Sequence, residues 1–383
     1  MKVSRGRFLA THVGSLPRPN PSADGENAAE GTGAGSEAHP RDLTTTVTTI
    51  VQAQIDAGLD VVNDGEMAKP SYVGYVTQRL TGFGGPPQRR TRRAVEEFPE
   101  YARRQFGDPE LARTLAQPSC DGPVSYAGRE SLDRDLAGLK AATADREVAD
   151  VFMTAASPGV IEMFMPNRYY PSESEYLAAL ADAMKEEYDT IVAAGFLLQL
   201  DCPDLAAGWE QSERGTTLEQ FRHKVARRVE LIDHATRDIP PDRMRMHVCW
   251  GNYEGPHHHD LPLIEIIDLV LRARPAGLCV EAANPRHEHE WEIFTEVDLP
   301  DDKVLVPGVV DTTTNYIEHP ELVAQRIRRY ADVVGPERVI AGTDCGFASF
   351  AAVPLVDPKI AWAKLGVVSE GAKLASHHYW TGG

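Results

Sequence analysis

Two short segments of the chain carry residue types that bind transition metals. His247 and Cys249 stand two positions apart in an apolar run, and Cys345 ends a later apolar run. In a β-strand, side chains at positions i and i+2 point to the same face, so His247 and Cys249 can reach one ion. Zinc takes imidazole nitrogen and thiolate sulfur as ligands. These three residues therefore predict a zinc site.

Glu281 offers a fourth ligand, because it ends the apolar run that lies between those two segments. Carboxylate oxygen also binds zinc, and a catalytic zinc ion keeps one of its four positions open. If each run is a strand of a parallel barrel, the four side chains converge at the carboxyl ends, where barrel enzymes have their active sites. The alternative for His247 and Cys249 is a buried thiol beside a hydrogen-bonded core histidine.

Strand-length apolar runs alternate with helical patterns along the chain. The eight runs are continuous in hydrophobicity, which is typical of parallel strands buried on both faces. They cover residues 8–15, 59–66, 148–155, 196–201, 244–250, 278–282, 304–311 and 339–345. This order predicts an α/β protein with a TIM-type (β/α)8 barrel. A barrel with insertions reaches 383 residues as a single domain, residues 1–383.

The helix before the fourth predicted strand has clear boundary signals. Ser172 and Glu175 have the spacing of a capping box, and apolar residues recur at helical spacing until Gly195. A second helix is predicted at residues 218–236 from the same kind of pattern. Both apolar stripes are predicted to be core.

Two segments interrupt the alternation of strands and helices. Residues 20–38 are rich in Gly, Ala, Ser and acidic residues, which predicts disorder or a mobile loop. An extended insertion at residues 67–147, between the second and third predicted strands, is predicted to form a lid or an oligomer contact. Its charged run at residues 89–93 is typical of a solvated face, with binding of an anionic substrate tail as the alternative.

The composition argues against several classes of partner. The chain has 39 Lys and Arg against 57 Asp and Glu, a formal net charge of −18, whereas nucleic acid and anionic membranes require a basic face. It also lacks the long apolar segment of a membrane span or secretory signal. The five cysteines are an odd number spread along the chain, which fits reduced thiols and a metal site better than disulfides. We expect a cytoplasmic protein that acts on small molecules.

The strand ends resemble the catalytic C-terminal barrel of the cobalamin-independent methionine synthase family, within a wider group that includes epoxyalkane:coenzyme M transferase. Residues 11–19 are similar to the family's opening Gly-Ser motif, residues 63–66 to its Gly-Glu motif, and residues 199–203 to its Gln-x-Asp-Glu-Pro motif. The four candidate zinc ligands follow in the family's ligand order. The insertions after Cys249 and Glu281 are more similar to the coenzyme M transferase branch.

The resemblance implies alkyl transfer to a thiol, with Zn²⁺ binding the thiol as a thiolate that attacks an electrophilic carbon. It also implies that Gly14 and Ser15 contact the carboxylate of an amino-acid thiol, and that Glu66 and Asp201 bind its ammonium group. The alternatives are structural, because Gly14 can simply turn the chain and Ser15 can cap the next element. Either carboxylate can instead pair with a barrel arginine.

The chain departs from the methionine synthase pattern at several positions. It has no room for a second barrel-like half, so folate is in doubt as the methyl donor. Cys202 stands where the family has a glutamate, and we expect it to be core or to support the site from behind. Arg286 is a candidate anion clamp, because its guanidinium suits sulfonate, carboxylate or phosphate. Asp311 ends the seventh predicted strand and can orient a ligand, act as a general acid, or only make a structural hydrogen bond.

Three consecutive histidines follow the fifth predicted strand. At most His257 and His259 can act together in an extended loop, since neighbouring side chains alternate there. They are candidate general acids, as is Tyr253, because histidine titrates near neutrality. The alternative is a solvent-facing loop.

The leading hypothesis is a zinc-dependent thiol alkyltransferase that acts on a small-molecule thiol and an alkyl donor, with methyl transfer to homocysteine as its first form. The second form is an epoxide–thiol transferase or carbon–sulfur lyase, which requires a proton donor. A zinc-free barrel similar to uroporphyrinogen decarboxylase is the alternative from another class. A corrinoid protein is a possible partner, and a homo-oligomer is a possible assembly.

Overall fold

The computed structural model of the chain describes residues 1–19, 40–88, 92–108, 115–351 and 355–381. The described strands are β1 Val61–Val62, β2 Phe83–Gly85, β3 Ser119–Cys120, β4 Asp150–Ala156, β5 Leu197–Asp201, β6 Met244–Val248, β7 Gly277–Val280 and β8 Val304–Pro307. The main sheet is parallel and curled, with six strands in the order β1-β4-β5-β6-β7-β8, and a second, antiparallel sheet pairs β2 with β3.

Helices follow most strands of the main sheet and cover its outer face. The described α-helices are Pro40–Asp56, Val76–Arg79, Arg93–Glu96, Pro99–Phe106, Arg129–Thr143, Pro158–Phe164, Glu173–Ala193, Leu218–Ala235, Ile267–Val270, Pro320–Val334 and Pro358–Ser376. Ser172 caps the helix that begins at Glu173, since its hydroxyl accepts the Glu175 amide N–H at 3.1 Å. The predicted start of this helix is thereby confirmed.

Six of the eight predicted strands belong to the main sheet, and each is shorter than its apolar run. The remaining two runs make single-residue parallel bridges, Ala10 with Ala341 and Leu305 with Val339. The amide of Ala341 donates to the Leu9 carbonyl at 2.8 Å, and the amide of Val61 donates to the Ala10 carbonyl at 3.2 Å. These contacts place the first and last runs between β8 and β1.

Side chains explain why the first run does not form a regular strand. The amide of Leu9 donates to Ser4 Oγ at 3.1 Å, and the amide of Ala10 donates to Asp60 Oδ2 at 2.8 Å. The amide of Phe8 donates to Ser376 Oγ at 2.8 Å. Three successive backbone donors are therefore unavailable to a neighbouring strand, and their buried N–H groups are satisfied locally. A pattern of apolar residues cannot reveal this competition.

In their described part, residues 67–147 contain three short α-helices, one longer α-helix and the two-stranded sheet. Their role as a lid or an oligomer contact stays a prediction, as does the single-domain organisation. The predicted disordered segment at residues 20–38 lies outside the described residues. Within the described parts of the chain, no helix is long and apolar enough to cross a membrane.

Candidate metal and substrate site

Three of the four predicted zinc ligands meet at one point. The ligand atoms of His247, Cys249 and Cys345 all lie within 4.8 Å of one another. His247 belongs to β6 and Cys249 follows it directly, so the strand period brings both side chains to one side. Both nitrogens of the buried His247 ring lack a hydrogen-bond partner among the described residues. An imidazole with two orphaned nitrogens beside two sulfur atoms fits a zinc ion.

The two thiols of this group differ in acidity. The pKa of Cys345 lies well below its usual range, chiefly because of its hydrogen bond with Cys249. The nearby His247 ring lowers this pKa further, whereas burial raises it. The pKa of Cys249 is raised well above its usual range by the hydrogen bond to Cys345 and by burial. Cys345 is therefore the more readily deprotonated of the two sulfurs, and a thiolate is the form that binds metal.

Glu281 is buried close to this group but is not part of it. Its Oε1 accepts the amide N–H of Trp250 at 2.8 Å, and its Oε2 accepts the Asn284 side-chain N–H at 2.9 Å. Burial raises its pKa. The carboxylate would have to leave one of these two donors in order to join a metal ion held by the other three residues. Its role as a ligand stays a prediction.

Asp344 holds the Cys345 segment against the end of β7, and sequence reasoning missed it. Its Oδ1 accepts the amide N–H groups of Ala282 at 2.7 Å and Ala283 at 2.9 Å. Asp344 thereby fixes the position of the segment that carries Glu281 relative to the one that carries Cys345. Its place directly before a candidate ligand was the only signal in the sequence.

A cavity of about 470 Å³ adjoins the three-residue group, and Glu66 and Asp201 line it together with His247, Cys249 and Cys345. Much of the remaining wall is apolar and includes Tyr72, Phe106, Met163, Phe164, Phe347 and Phe350. The cavity thus combines an apolar wall with two carboxyl groups and the candidate metal ligands. That combination is typical of a small-molecule site.

The two carboxyl groups are held in a poorly solvated place. Burial raises the pKa of Glu66 to about 7 and that of Asp201 to about 6. Glu66 Oε1 accepts the Thr154 hydroxyl at 2.6 Å, whereas the buried Oε2 has no partner among the described residues. Glu66 is also the one described non-glycine residue with a positive φ, 61°. Such backbone conformations cluster at functional sites.

Gly14 and Ser15 lie beside this cavity but are engaged in the protein. The amide of Gly14 donates to His12 Nδ1 at 3.2 Å, and a Cβ atom on Gly14 would meet Glu66 Oε1 at 3.0 Å. Ser15 lines the cavity, and its hydroxyl accepts the Ala348 amide N–H at 3.3 Å. Their predicted contact with a substrate carboxylate stays a prediction.

His12 supports the segment that carries Gly14 and Ser15, and sequence reasoning gave it no role. Its Nε2 donates to Gln54 Oε1 at 2.8 Å, because Nδ1 already accepts from Gly14. Burial lowers the pKa of His12 to about 3, so the ring is neutral. A buried Arg245 also donates to the His12 carbonyl at 2.6 Å and lies 3.6 Å from the centre of the Phe152 ring.

The histidine loop does not present His257 or His259 among the residues that line the cavity. His257 is buried, with Nδ1 2.6 Å from Asp260 Oδ2 and Nε2 3.1 Å from the Tyr253 carbonyl. A turn at residues 258–259 breaks the expected alternation, so His258 and His259 converge on Glu97 instead. In this arrangement His257 and His259 face different partners, and their catalytic roles stay predictions. Tyr253 does line the cavity.

Two further predicted residues are used in loops outside the described cavity lining. Both oxygens of Asp311 accept hydrogen bonds from the amides and hydroxyls of Thr313 and Thr314, so Asp311 shapes the turn after β8. Arg286 is exposed, and its guanidinium donates to the His258 carbonyl at 3.1 Å. Neither is among the residues that line the cavity, and their predicted roles stay predictions.

Cys202 lies in the hydrophobic core rather than in the metal group. Its sulfur is 3.6 Å from the Leu200 carbonyl, and burial raises its pKa well above the usual range.

Sequence reasoning also missed two residues that line the cavity. Asn252 donates to the Gly346 carbonyl at 2.7 Å, and Arg92 donates to the Trp250 carbonyl at 2.7 Å.

Comparisons with known proteins show that the chain is similar to cobalamin-independent synthases. Residues 168–353 match the family model of the cobalamin-independent synthase catalytic domain. The methionine synthase of Saccharolobus solfataricus is 23% identical over 369 residues, which covers 95% of this chain and 93% of that protein. The methionine synthase of Sulfolobus acidocaldarius is 24% identical over 360 residues, which covers 93% of this chain and 88% of that protein.

Solved structures show the same fold over the full length. The structure of a B12-independent methionine synthase from Shewanella sp. W3-18-1, in complex with selenomethionine, has a TM-score of 0.71 at 18% identity and covers 98% of this chain and 99% of that one. A putative vitamin-B12-independent methionine synthase from Listeria monocytogenes has a TM-score of 0.65 at 21% identity and covers 97% of this chain and 98% of that one. The predicted resemblance to the cobalamin-independent methionine synthase family is confirmed. The closer likeness to the coenzyme M transferase branch stays a prediction.

Proposed function

We propose that this protein is a zinc-dependent thiol methyltransferase of the methionine synthase type, with homocysteine as the thiol. The relationship to methionine synthases supports methyl transfer to a thiol. The observation that carries the zinc assignment is the buried His247 ring, whose two nitrogens are unpartnered beside the sulfurs of Cys249 and Cys345. Glu281 is the proposed fourth ligand, and an incoming thiol would displace one ligand or a water molecule.

Zinc held by these residues would supply Lewis acidity that deprotonates a coordinated thiol near neutral pH. The chain's own residues have the other tasks. The apolar cavity wall would exclude water from the electrophilic methyl group of the donor. Methyl transfer forms a sulfur–carbon bond as the bond from carbon to the donor breaks, and no proton has to be delivered to carbon.

Glu66 and Asp201 are proposed to bind the ammonium group of the amino-acid thiol. Both carboxyl groups line the cavity, and burial raises the pKa of each. A cation placed between them would favour their charged forms and would offer a donor to the unpartnered Glu66 Oε2. An amino-acid thiol therefore suits the site better than a thiol without an amine.

The complete eight-stranded barrel is part of this proposal. The bridges at Ala10, Val339 and Ala341 support it, because they connect the edge strands β8 and β1 through the first and last runs. In such a barrel, the candidate ligands and carboxylates all follow the carboxyl ends of strands. That is the face at which barrel active sites form.

The direct test uses protein loaded with Co²⁺ in place of zinc. A thiolate–cobalt bond gives a charge-transfer absorption in the near ultraviolet, and homocysteine is expected to increase that absorption when it binds. Cys249→Ser and Cys345→Ser should weaken it, whereas Cys202→Ala is the matched control because its thiol lies outside the group. Methionine formation from homocysteine and a set of methyl donors is then measured by mass spectrometry. Product formed equally well by both serine variants would contradict the proposal.

The epoxide-opening alternative requires a proton donor beside the electrophile. Of the three candidate donors, Tyr253 is the one that lines the cavity, and its hydroxyl would have to leave the Pro256 carbonyl to act as an acid. Methyl transfer needs no such acid, and the described geometry supports it better. A Tyr253→Phe variant that opens no epoxide but still forms methionine would separate the two chemistries.

A further inference from the structure

A second group of potential metal ligands lies on the surface, apart from the first. Nε2 of His258 is 3.0 Å from Glu97 Oε2, and Nε2 of His259 is 2.5 Å from Glu97 Oε1. One ligand atom from each residue lies within 4.8 Å of the other two. The three side chains are 40–53% exposed, so an ion can reach them from solvent.

The chemistry of this group differs from that of an ordinary surface ion pair. Two imidazole nitrogens from consecutive residues converge on a single carboxylate, and two histidines with one carboxylate form a recurrent ligand set for zinc and related ions. Zinc would replace the proton that each ring shares with the carboxylate. By contrast, His234 and Asp182 form a simple pair at 2.8 Å and belong to no three-residue group among the described residues.

The group joins two neighbouring segments that both line the cavity. Glu97 lies between the helices Arg93–Glu96 and Pro99–Phe106, and the histidines belong to the loop after β6. Arg92 and Tyr253 line the cavity from these same two segments, and the Arg92 guanidinium lies 4.5 Å from the centre of the Tyr253 ring. The Tyr101 hydroxyl also donates to the Glu254 carbonyl. An ion at Glu97 would fasten a contact that already exists.

We propose that Glu97, His258 and His259 form a second site for a divalent transition-metal ion, with Zn²⁺ as the ion that suits the ligands best. The bound ion fastens the segment 92–106 to the loop 250–259. It thereby restricts the opening of the cavity between them. This site is independent of the zinc centre proposed above, because the two share no ligand.

The test counts metal equivalents in protein that carries no histidine tag. Metal-free protein is titrated with Co²⁺, which gives a thiolate charge-transfer absorption at the cysteine site but only weak visible bands at a site of imidazole and carboxylate. Zn²⁺ binding is followed in parallel by calorimetry. The His258→Ala and Glu97→Gln variants are expected to bind one equivalent fewer than the parent, or to hold it at least about tenfold more weakly, with the charge-transfer absorption unchanged.

His234→Ala is the matched control and should keep every equivalent. In the Cys249→Ser/Cys345→Ser background one equivalent should remain, without charge-transfer absorption, and should be lost on adding His258→Ala. An equal number of equivalents in the parent and in His258→Ala would overturn the proposal. If the parent shows no thiolate charge-transfer absorption but still binds one equivalent that His258→Ala loses, the proposed function is contradicted and the second site is supported.

The fastening is tested by amide hydrogen exchange. Saturating Zn²⁺ should slow exchange in residues 92–106 and 250–259 of the parent, and it should do so less in His258→Ala. Identical exchange with and without the ion in the parent would overturn the fastening of the two segments.

Discussion

Glu66 is the residue through which the substrate assignment can be tested most cleanly. Its carboxyl group lines the cavity, has one unpartnered oxygen and does not belong to the metal group. We expect Glu66→Gln to raise KM for homocysteine about tenfold, which corresponds to about 1.4 kcal/mol, because an ammonium ion loses a charged partner. Steady-state kinetics with saturating methyl donor measure this change.

A thiol that lacks the amine provides the control. With 4-mercaptobutanoate the parent and Glu66→Gln should have nearly the same KM, because neither can form the ammonium contact. An equal increase of KM for both thiols would place Glu66 in a structural role and would argue against an amino-acid substrate.

Gly14 has a conformation and a location that exclude a side chain. Its φ is +154°, and a Cβ atom would lie 2.9 Å from Thr154 Cγ2 and 3.0 Å from Glu66 Oε1. We expect Gly14→Ala to lower the free energy of unfolding by about 1–3 kcal/mol and to raise KM for the thiol, since Glu66 must move. Urea denaturation and kinetics measure the two effects.

Gly138→Ala is the matched comparison. Gly138 lies inside the helix Arg129–Thr143, and its Cβ atom would meet nothing within 4 Å. Alanine there should raise the free energy of unfolding by about 0.5–1 kcal/mol. If Gly14→Ala proves equally stabilising, the close packing of Gly14 against Glu66 is incorrect.

At the residue scale, the sequence predicted best where a regular strand sets the direction of a side chain. His247 and Cys249 point to the same side because side-chain directions in a β-strand repeat every two residues. The directions of loop side chains were not predicted. A turn at residues 258–259 sets the direction of His259, and a local hydrogen bond sets that of Arg286. Neither conformation can be read from residue type.

The helix Leu218–Ala235 is held at its start by a complete capping box. The Thr217 hydroxyl accepts the Gln220 amide N–H at 3.2 Å, and the Gln220 side chain accepts the Thr217 amide N–H at 2.9 Å. Thr217→Ala should lower the free energy of unfolding by about 1 kcal/mol without a change in metal content. Thr217→Ser keeps the hydroxyl and should be nearly neutral, and a loss as large as that of alanine would contradict the capping account.

The loops after β6 and β7 are joined by a buried cluster of charged groups. His287 Nε2 lies 3.1 Å from Asp260 Oδ2, and its Nδ1 lies 2.9 Å from Glu290 Oε2. Burial alone would lower the pKa of His287, but hydrogen bonds to these two carboxylates raise it to about 9. The nearby Glu281 also raises the pKa of His287, and Asp260 is shared with the His257 ring.

This raised pKa makes stability depend on pH in a defined direction. The stabilising contribution of charged His287 is fully present below its unfolded pKa of about 6.5 and is lost as the pH rises through about 9. Between about pH 7 and about pH 10 the parent should therefore lose more unfolding free energy than His287→Gln. Urea denaturation at a series of pH values compares them. Parallel curves would contradict the raised pKa.

At the scale of elements, the apolar runs located every described strand of the main sheet, but the predicted strands are longer than the observed ones. Each run extends beyond the paired residues at one end or at both, since apolar residues also fill the space beyond a strand end. The short β2 and β3 strands were not predicted, because two or three residues carry no measurable period.

At the scale of the whole molecule, the proposed site depends on the convergence of separate strand ends. Asp201 ends β5, Cys249 follows β6, and Cys345 follows the bridged segment at Ala341, yet their side chains line one cavity. The parallel order of the sheet produces this convergence, and the sequence predicts it once the β-then-α order is recognised. The apolar cavity and the placement of Glu97 depend on residues 67–147, whose short elements were beyond prediction.

Bound metal should also stabilise the whole molecule. Zinc binds the folded state through residues that are far apart in sequence, so an excess of about 100 times Kd adds about 2.7 kcal/mol to the unfolding free energy. The chelated parent should therefore melt at a lower temperature than the zinc-loaded parent. Most of this difference should vanish in Cys345→Ser, as measured by scanning calorimetry. An equal difference in both proteins would argue against a site at Cys345.

The central claim is a zinc ion held by His247, Cys249 and Cys345, and metal content per chain tests it most directly. Elemental analysis is made on protein purified without added metal or a histidine tag, for the parent and for Cys249→Ser and Cys345→Ser. We expect each variant to contain about one zinc ion per chain fewer than the parent. Parent protein without zinc, or zinc that is unaffected by either substitution, would contradict it.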